Sequence, residues 1–198
     1  MSYSISHPSD DCYEGTACLL NKFNIQNEEQ LAKVEASITL AKTAELERKP
    51  ISNTYDFEHY KQIHEYLFKD LYVWAGQIRT VDISKKGTYF TSVEDIEAIA
   101  EACFNRLKSC NYFKNLEFDE FIENIVDFYC TTNMLHPFRE GNGRTQRVFI
   151  AQLIRFCGYD INFSEIDTDE LMAATIHSAN GITDYLKLIF KNHIKPQE

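Results

Sequence analysis

The chain has 198 residues, 44% of them hydrophobic and 25% charged, with a formal net charge of −10. That length suits one domain with a sizeable core. The acidic balance argues against direct binding to a nucleic-acid backbone or an anionic membrane, though a local nucleotide site can still be basic.

The opening MSYSISHPSDD has no apolar segment of the kind a signal peptide carries, and no apolar run is long enough to span a bilayer. Cys12, Cys18, Cys103, Cys110, Cys130 and Cys157 show no CxxC spacing. Reduced thiols in a cytoplasmic protein are expected, rather than disulfides or a zinc site.

Residues 1–11 are polar and are expected to be loose. A short apolar helix is expected over Ala17 to Phe23. A long helix is expected over Glu28 to Glu47, with Leu31, Val34, Ile38 and Ala41 on its inner face and Pro50 closing it. Asp56 suits the cap of the next helix, whose stripe is Phe57, Tyr60, His64 and Leu67. His59 and His64 read as packed or surface residues rather than functional ones. After Leu71–Gly76, LYVWAG, the alternation of Gln77–Ile83 can pair with Thr88–Phe90 around Ser84-Lys85-Lys86-Gly87. Ser92 and Asp95 form a capping-box pattern for a helix to about Ser109, with Ile96, Ile99, Cys103 and Leu107 inward. Phe118 to Leu135 carries the stripe Phe118, Phe121, Ile122, Ile125 and Tyr129. Gly143 to Cys157 carries Phe149, Leu153 and Phe156, and Gly158 is placed to end it. Two further helices are expected over Glu165 to Ser178 and Ile182 to His193. No repeat, low-complexity tract or linker interrupts this mainly α single domain, 1–198.

The segment His136 to Arg147, HPFREGNGRTQR, joins two of these helices, both expected to be buried. Gly141, Asn142 and Gly143 let backbone N–H groups approach an anion closely. The helix start that follows adds free N–H groups and a positive dipole end. Arg144 and Arg147, three apart, share a face and can each fork onto phosphate oxygens. Glu140 would repel phosphate unless it holds Mg²⁺, which binds through one or two carboxylates plus substrate phosphates. His136 can take a proton near neutral pH. A base, a magnesium acid and a phosphate cradle together point to phosphoryl or nucleotidyl transfer.

This string resembles the Fic family pattern HxFx(D/E)GN(G/K)RxxR at every specified position: His136, Phe138, Glu140, Gly141, Asn142, Gly143, Arg144 and Arg147. The resemblance implies a Fic fold, a helical bundle with a small β-hairpin flap at 77–91. It implies a protein adenylyltransferase, moving AMP from ATP to a tyrosine, threonine or serine hydroxyl of a target protein. His136 would be the base, Glu140 the Mg²⁺ ligand, and Asn142 with the Gly141–Gly143 backbone the α-phosphate site. Arg144 would grip the β-phosphate and Arg147 the γ-phosphate. Phe138 would anchor the loop, and Arg139, unspecified by the pattern, is expected to face solvent. Lys85 and Lys86 at the flap tip are further candidates for the phosphate site. Gly143 favours AMP transfer, since a phosphorylating branch of the family has lysine there. UMP transfer, phosphorylation and non-catalytic nucleotide binding remain as alternatives.

In the family the flap aligns an extended piece of the target by strand addition. Many members also carry an inhibitory helix, (S/T)xxxE(G/N), whose glutamate pairs with the last arginine. The nearest fit here, Thr43-Ala44-Glu45-Leu46-Glu47-Arg48, ends in arginine and lies in a core helix. The layout therefore resembles the toxin-type group, in which a small antitoxin supplies that glutamate, here to Arg147. In some toxin-type relatives the targets are type II DNA topoisomerases.

Overall fold

The computed structural model of the protein describes residues 3–5, 11–85 and 87–197. Lys86, one of the two flap lysines singled out above, lies outside the described residues. Among the described residues are seven α-helices and two small antiparallel sheets. No helix among them is long and apolar enough to cross a membrane, and the six cysteines are free.

Helix α1 spans Glu28–Arg48, with Asn27 capping it by accepting from the Gln30 N–H. Its inner face is the expected one in part: Leu31 is buried and Val34 and Ile38 pack, partly buried, against the core. Leu31, Glu35, Thr39 and Leu46 are buried, while Leu40 is 73% exposed and Ala41 also faces out. A polar pair, Glu35 and Thr39, is buried beside them. Helix α2, Phe57–Phe68, starts as expected at Asp56, whose carboxylate accepts from the His59 N–H at 2.8 Å.

The segment before α1 holds no helix at 17–23. Cys12 and Leu19 form an isolated bridge, and Asn21 ties the turn together. The Asn21 amide donates to the carbonyls of Leu19 and Ile25 and accepts from the Phe23 and Ile25 N–H groups. A side chain that satisfies four backbone groups in a turn competes directly with helix formation.

The flap is shorter than its pattern suggested. Strands β2, Ile83–Lys85, and β3, Thr88–Tyr89, pair with Ser84 opposite Tyr89 and Lys85 opposite Thr88. A third strand, β1, Ser4–Ile5, lies on the other side of β2, with Ser4 opposite Ser84 and Ile5 opposite Ile83. The first eleven residues are thus not uniformly loose. Residues 3–5 join the flap, and the Asp11 carbonyl accepts from the Leu20 N–H. Residues 1, 2 and 6–10 lie outside the described residues.

Helix α3 spans Ile96–Ser109, with a 3₁₀ turn at Val93–Asp95 before it. It buries Ile96, Ala100, Cys103, Phe104 and Leu107, with Ile99 turned outward. Helices α4, Phe118–Leu135, and α5, Asn142–Phe156, form the centre. Gln146 of α5 donates to the Tyr129 carbonyl at 2.7 Å and to the Thr132 hydroxyl at 2.8 Å, which fixes α5 against α4. Phe121, Ile125, Phe149, Leu153 and Ile154 are fully buried around that contact. Strands β4, Tyr159–Asp160, and β5, Lys195–Pro196, pair across the C-terminal helices α6, Thr168–Ala179, and α7, Asp184–His193. Two-residue strands carry no periodic signal, so neither β1 nor the β4–β5 pair shows in the pattern of the sequence.

Candidate active site

The site begins where α4 ends. His136 caps that helix in the left-handed region, with φ 42° and ψ 57°. This is unusual backbone for a residue with a side chain. It turns the chain sharply and aims the imidazole back under the flap. The turn is held from outside by Arg79, a buried residue with no place in the expected site. Its Nε donates to the His136 carbonyl at 2.9 Å, and its terminal nitrogens donate to the carbonyls of Val81 and Thr91. The Arg79 N–H also donates to the Pro137 carbonyl at 2.9 Å. One guanidinium therefore ties the flap's base to the motif loop.

The ring of His136 has a definite tautomer. Its Nδ1 lies 2.9 Å from the Asn133 carbonyl, which can only accept, so Nδ1 carries the proton. Nε2 is left as a bare acceptor, and the Tyr3 hydroxyl donates to it at 2.8 Å. Phe90 of the flap stacks on the imidazole at 3.7 Å between centroids and 14° between planes. Burial is the main cause that lowers the His136 pKa to about 3, with Lys85 and Arg79 adding in the same direction. A neutral imidazole with a free Nε2 is the form a general base needs.

The loop behind it is over-determined. Phe138 is fully buried, as expected of an anchor. Asn142 accepts from the Phe138 N–H at 2.8 Å and donates to its carbonyl at 2.7 Å, closing the loop on itself. Gly141 has φ 80°, and a Cβ there would lie 2.2 Å from Cζ of Phe68. No other residue fits that position without moving a core ring. A Cβ on Gly143 would lie 3.3 Å from Nη1 of Arg147.

His64, given no functional weight from the sequence, is part of this scaffold. Its Nδ1 accepts from the Gly76 N–H at 2.8 Å, so its Nε2 carries the proton and donates to the Glu140 carbonyl at 3.0 Å. Its ring stacks on Phe138 at 3.8 Å and on Phe68 at 4.7 Å. It is fully buried, and burial lowers its pKa to about 3. His59 is likewise a packed residue, beside Tyr55 and Phe149.

The charged groups divide into paired and open. Arg144 is held by Glu35 of α1, donates to the Thr39 hydroxyl at 3.3 Å, and lies 3.5 Å from Glu140 Oε1. Its guanidinium also lies over the Phe68 ring at 4.8 Å. Tyr72 donates to the other carboxylate oxygen of Glu35. Arg147 makes no ion pair among the described residues and lines the same cavity. Arg139, expected in solvent, is buried and pairs with Asp11 at 3.2 Å. The partner lies 128 positions away, which no local reading finds. Glu140 Oε1 accepts from the Gly141 N–H at 2.8 Å, and its side chain stays a quarter exposed. Among the described residues no group of three or more His, Cys, Asp or Glu side chains converges to hold a metal alone. A divalent ion would fit here only with Glu140 on one side and substrate oxygens on the others.

A cavity of about 810 Å³ is lined by Tyr3, Lys85 and Phe90, by His136 and Glu140, by Arg144 and Arg147, and by residues of α1 and α6. Its size suits a nucleotide-sized ligand. A neutral histidine under the flap, an arginine-rich helix start and a small hairpin beside them define a Fic-type fold and site. The chain belongs to the Fic/DOC family, whose model matches residues 54–154. It is 35% identical over 179 residues to "Protein adenylyltransferase VbhT" of Bartonella schoenbuchensis; that match covers 90% of this chain but 37% of VbhT. It is 33% identical over 178 residues to "Probable protein adenylyltransferase Fic" of Escherichia coli K12, covering 90% of this chain and 88% of that one. Among solved structures, the BepC effector of Bartonella tribocorum with bound AMPPNP superposes with a TM-score of 0.90 at 26% identity, covering 96% of this chain and 98% of that one.

Proposed function

We propose that this protein transfers AMP from Mg-ATP to a hydroxyl of a target protein and releases pyrophosphate. The observation that carries the reading is the neutral His136, whose bare Nε2 receives a hydroxyl proton at 2.8 Å within a cavity of nucleotide size. The relatives named protein adenylyltransferase, and the AMPPNP bound to BepC, support the choice of AMP and ATP.

His136 takes the proton of the incoming hydroxyl, and a positioned base of this kind contributes about 10²–10⁴-fold. The first-turn N–H groups of α5 and the Asn142 amide meet the charge that grows on the α-phosphate. Arg144 and Arg147 hold the departing β- and γ-phosphates. Mg²⁺ held between Glu140 and phosphate oxygens would supply further neutralisation of that leaving group. Lys85 lines the cavity at the flap end and adds positive charge beside the acceptor. The flap edge receives an extended piece of the target, such as a segment of a type II topoisomerase, by strand addition.

The reading extends to regulation in a cytoplasmic toxin–antitoxin pair. Thr43 and Glu47 line the cavity with Arg147, yet Glu47 makes no ion pair among the described residues. A small partner protein that inserts a glutamate onto Arg147 would block the γ-phosphate. The internal segment is the inhibitor instead if Glu47→Ala raises the activity of the isolated chain.

The transfer itself is tested with α-labelled ATP and Mg²⁺ in a bacterial lysate, comparing the native chain with His136→Ala. A labelled protein band present only with the native chain is the expected result. A band from γ-labelled but not α-labelled ATP would make the protein a kinase. Label from UTP alone would make it a uridylyltransferase. Tight ATP binding with no transfer would make it a binding protein.

A further inference from the structure

The described N-terminal residues occupy the place in which a target segment would sit. Strand β1 adds to the free edge of β2 in antiparallel register, so Ser4–Ile5 already make the strand addition that a flap offers to a partner. Directly before them, Tyr3 enters the cavity. Its hydroxyl reaches His136 Nε2 at 2.8 Å, and its ring meets the imidazole edge-on at 5.5 Å. Phe90 contacts it from β3's side at 6.3 Å, and the Lys85 ammonium lies 4.5 Å from the ring centroid. Asn142, assigned above to the reacting phosphate, is close enough to the phenol to favour its ionised form. A tyrosine hydroxyl therefore lies on the base and near the α-phosphate site, presented by a strand on the docking edge.

We propose that Tyr3 is an intramolecular acceptor and that the protein adenylylates its own N-terminal segment in cis. The proposal rests on the AMP-transfer reading above. The Tyr3 oxygen attacks the α-phosphorus of ATP, and a new O–P bond forms. The bond from that phosphorus to the oxygen bridging to the β-phosphate breaks, and pyrophosphate leaves with the electron pair. The phenol proton passes to His136 Nε2. Two further consequences follow from the geometry. While β1 is paired, it covers the edge that an outside target needs, so self-modification and target modification compete. After transfer, Tyr3 carries a phosphodiester too bulky for the place its hydroxyl held, and β1 must leave the edge.

The experiment uses the purified full chain with α-labelled ATP and Mg²⁺, alone and with bacterial lysate. The expected result is label on the chain itself, mapped by peptide mass spectrometry to Tyr3. Tyr3→Phe should lose that label while still labelling lysate protein. The half-time of self-labelling should be independent of chain concentration, and a His136→Ala chain mixed with the native one should stay unlabelled. Label at another residue, a half-time that shortens with concentration, or a labelled His136→Ala chain each overturns the proposal. A native chain that labels lysate protein but never itself overturns it while leaving the transfer reading intact. Label on nothing at all overturns both.

Discussion

The proposed phosphate side of the cavity and its proposed acceptor side are built in opposite ways. On the phosphate side, Gly141, Asn142 and Arg144 each have several constraints: a glycine with no room for a Cβ, an amide bonded at both ends, an arginine held by α1. Behind them, α5 has no exposed residue, and α4 buries most of its faces while Asp119, Glu120, Glu123 and Asp127 stay in solvent. On the acceptor side, β1, β2 and β3 are two or three residues long, and Tyr89 is 79% exposed. Short edge strands with few buried contacts open easily. The contrast suits a division of labour: the half proposed for the nucleotide is part of the core, whereas the half proposed for the acceptor is a short sheet edge. Arg79 and His64 join them, each bonding the motif loop to the chain that leads into the flap.

Substitutions in the two halves should therefore fail differently. Asn142→Ala removes the proposed transition-state donor and both bonds that close the loop, so transfer should fall by about 10²–10³-fold, read as initial rate of α-label incorporation. An activity within a few-fold of native would break the contrast at its strongest point. Gly141→Ala should cost about 2–4 kcal/mol in urea unfolding, because the new Cβ meets the Phe68 ring and the backbone has a positive φ. Equal stability would mean that the loop moves freely, which the account denies. Glu35→Gln should free Arg144 for phosphate and tighten ATP binding by about tenfold, measured by calorimetry. Weaker binding would instead make Glu35 an aligning partner of Arg144. Lys85→Ala, on the exchangeable side, should leave ATP binding alone and slow acceptor labelling only about two- to fivefold, the scale of a partly exposed cation–π contact.

The pH profile separates the halves again. His136 and His64 have folded pKa values lowered to about 3, well below the ordinary histidine value. Both are neutral in the folded state through the range in which an ordinary histidine titrates. Transfer rate should then show no loss centred near pH 6.5 as the solution is acidified from pH 8. Stability behaves differently. Below about pH 6.5 the unfolded chain binds protons that the folded chain refuses, so stability falls as pH drops from there towards 3. Both histidine contributions are fully present above the unfolded value. A rate that titrates near 6.5 would show His136 to be open to water in the working enzyme.

The same contrast explains what could be read from the sequence. The motif loop was legible because its parts are consecutive: His136, Glu140, Asn142 and Arg144 needed only one turn and one helix start. Most helices were legible from their apolar period. Glu35 and Thr39 were not, because a glutamate on a helix reads as a solvated charge until its partner, Arg144, is placed opposite. Arg139 failed for the same reason, with Asp11 far away in the chain. His64 sat on the predicted stripe, but nothing local distinguishes a packed histidine from one that bonds two backbone groups at once. The apolar run at 17–23 was misread because Asn21 supplies turn bonds that outweigh its propensity. Strand β1 left no trace at all, since two residues have no period.

The central claim is that His136 serves the acceptor and not the nucleotide. It is tested most directly by measuring Mg-ATP affinity and AMP transfer on the same preparations of native protein and His136→Ala. The account predicts affinities within about twofold of each other and transfer lower in the variant by about 10²–10⁴-fold. An affinity that falls along with transfer would put His136 in the phosphate cradle, and transfer that survives would remove it from the chemistry.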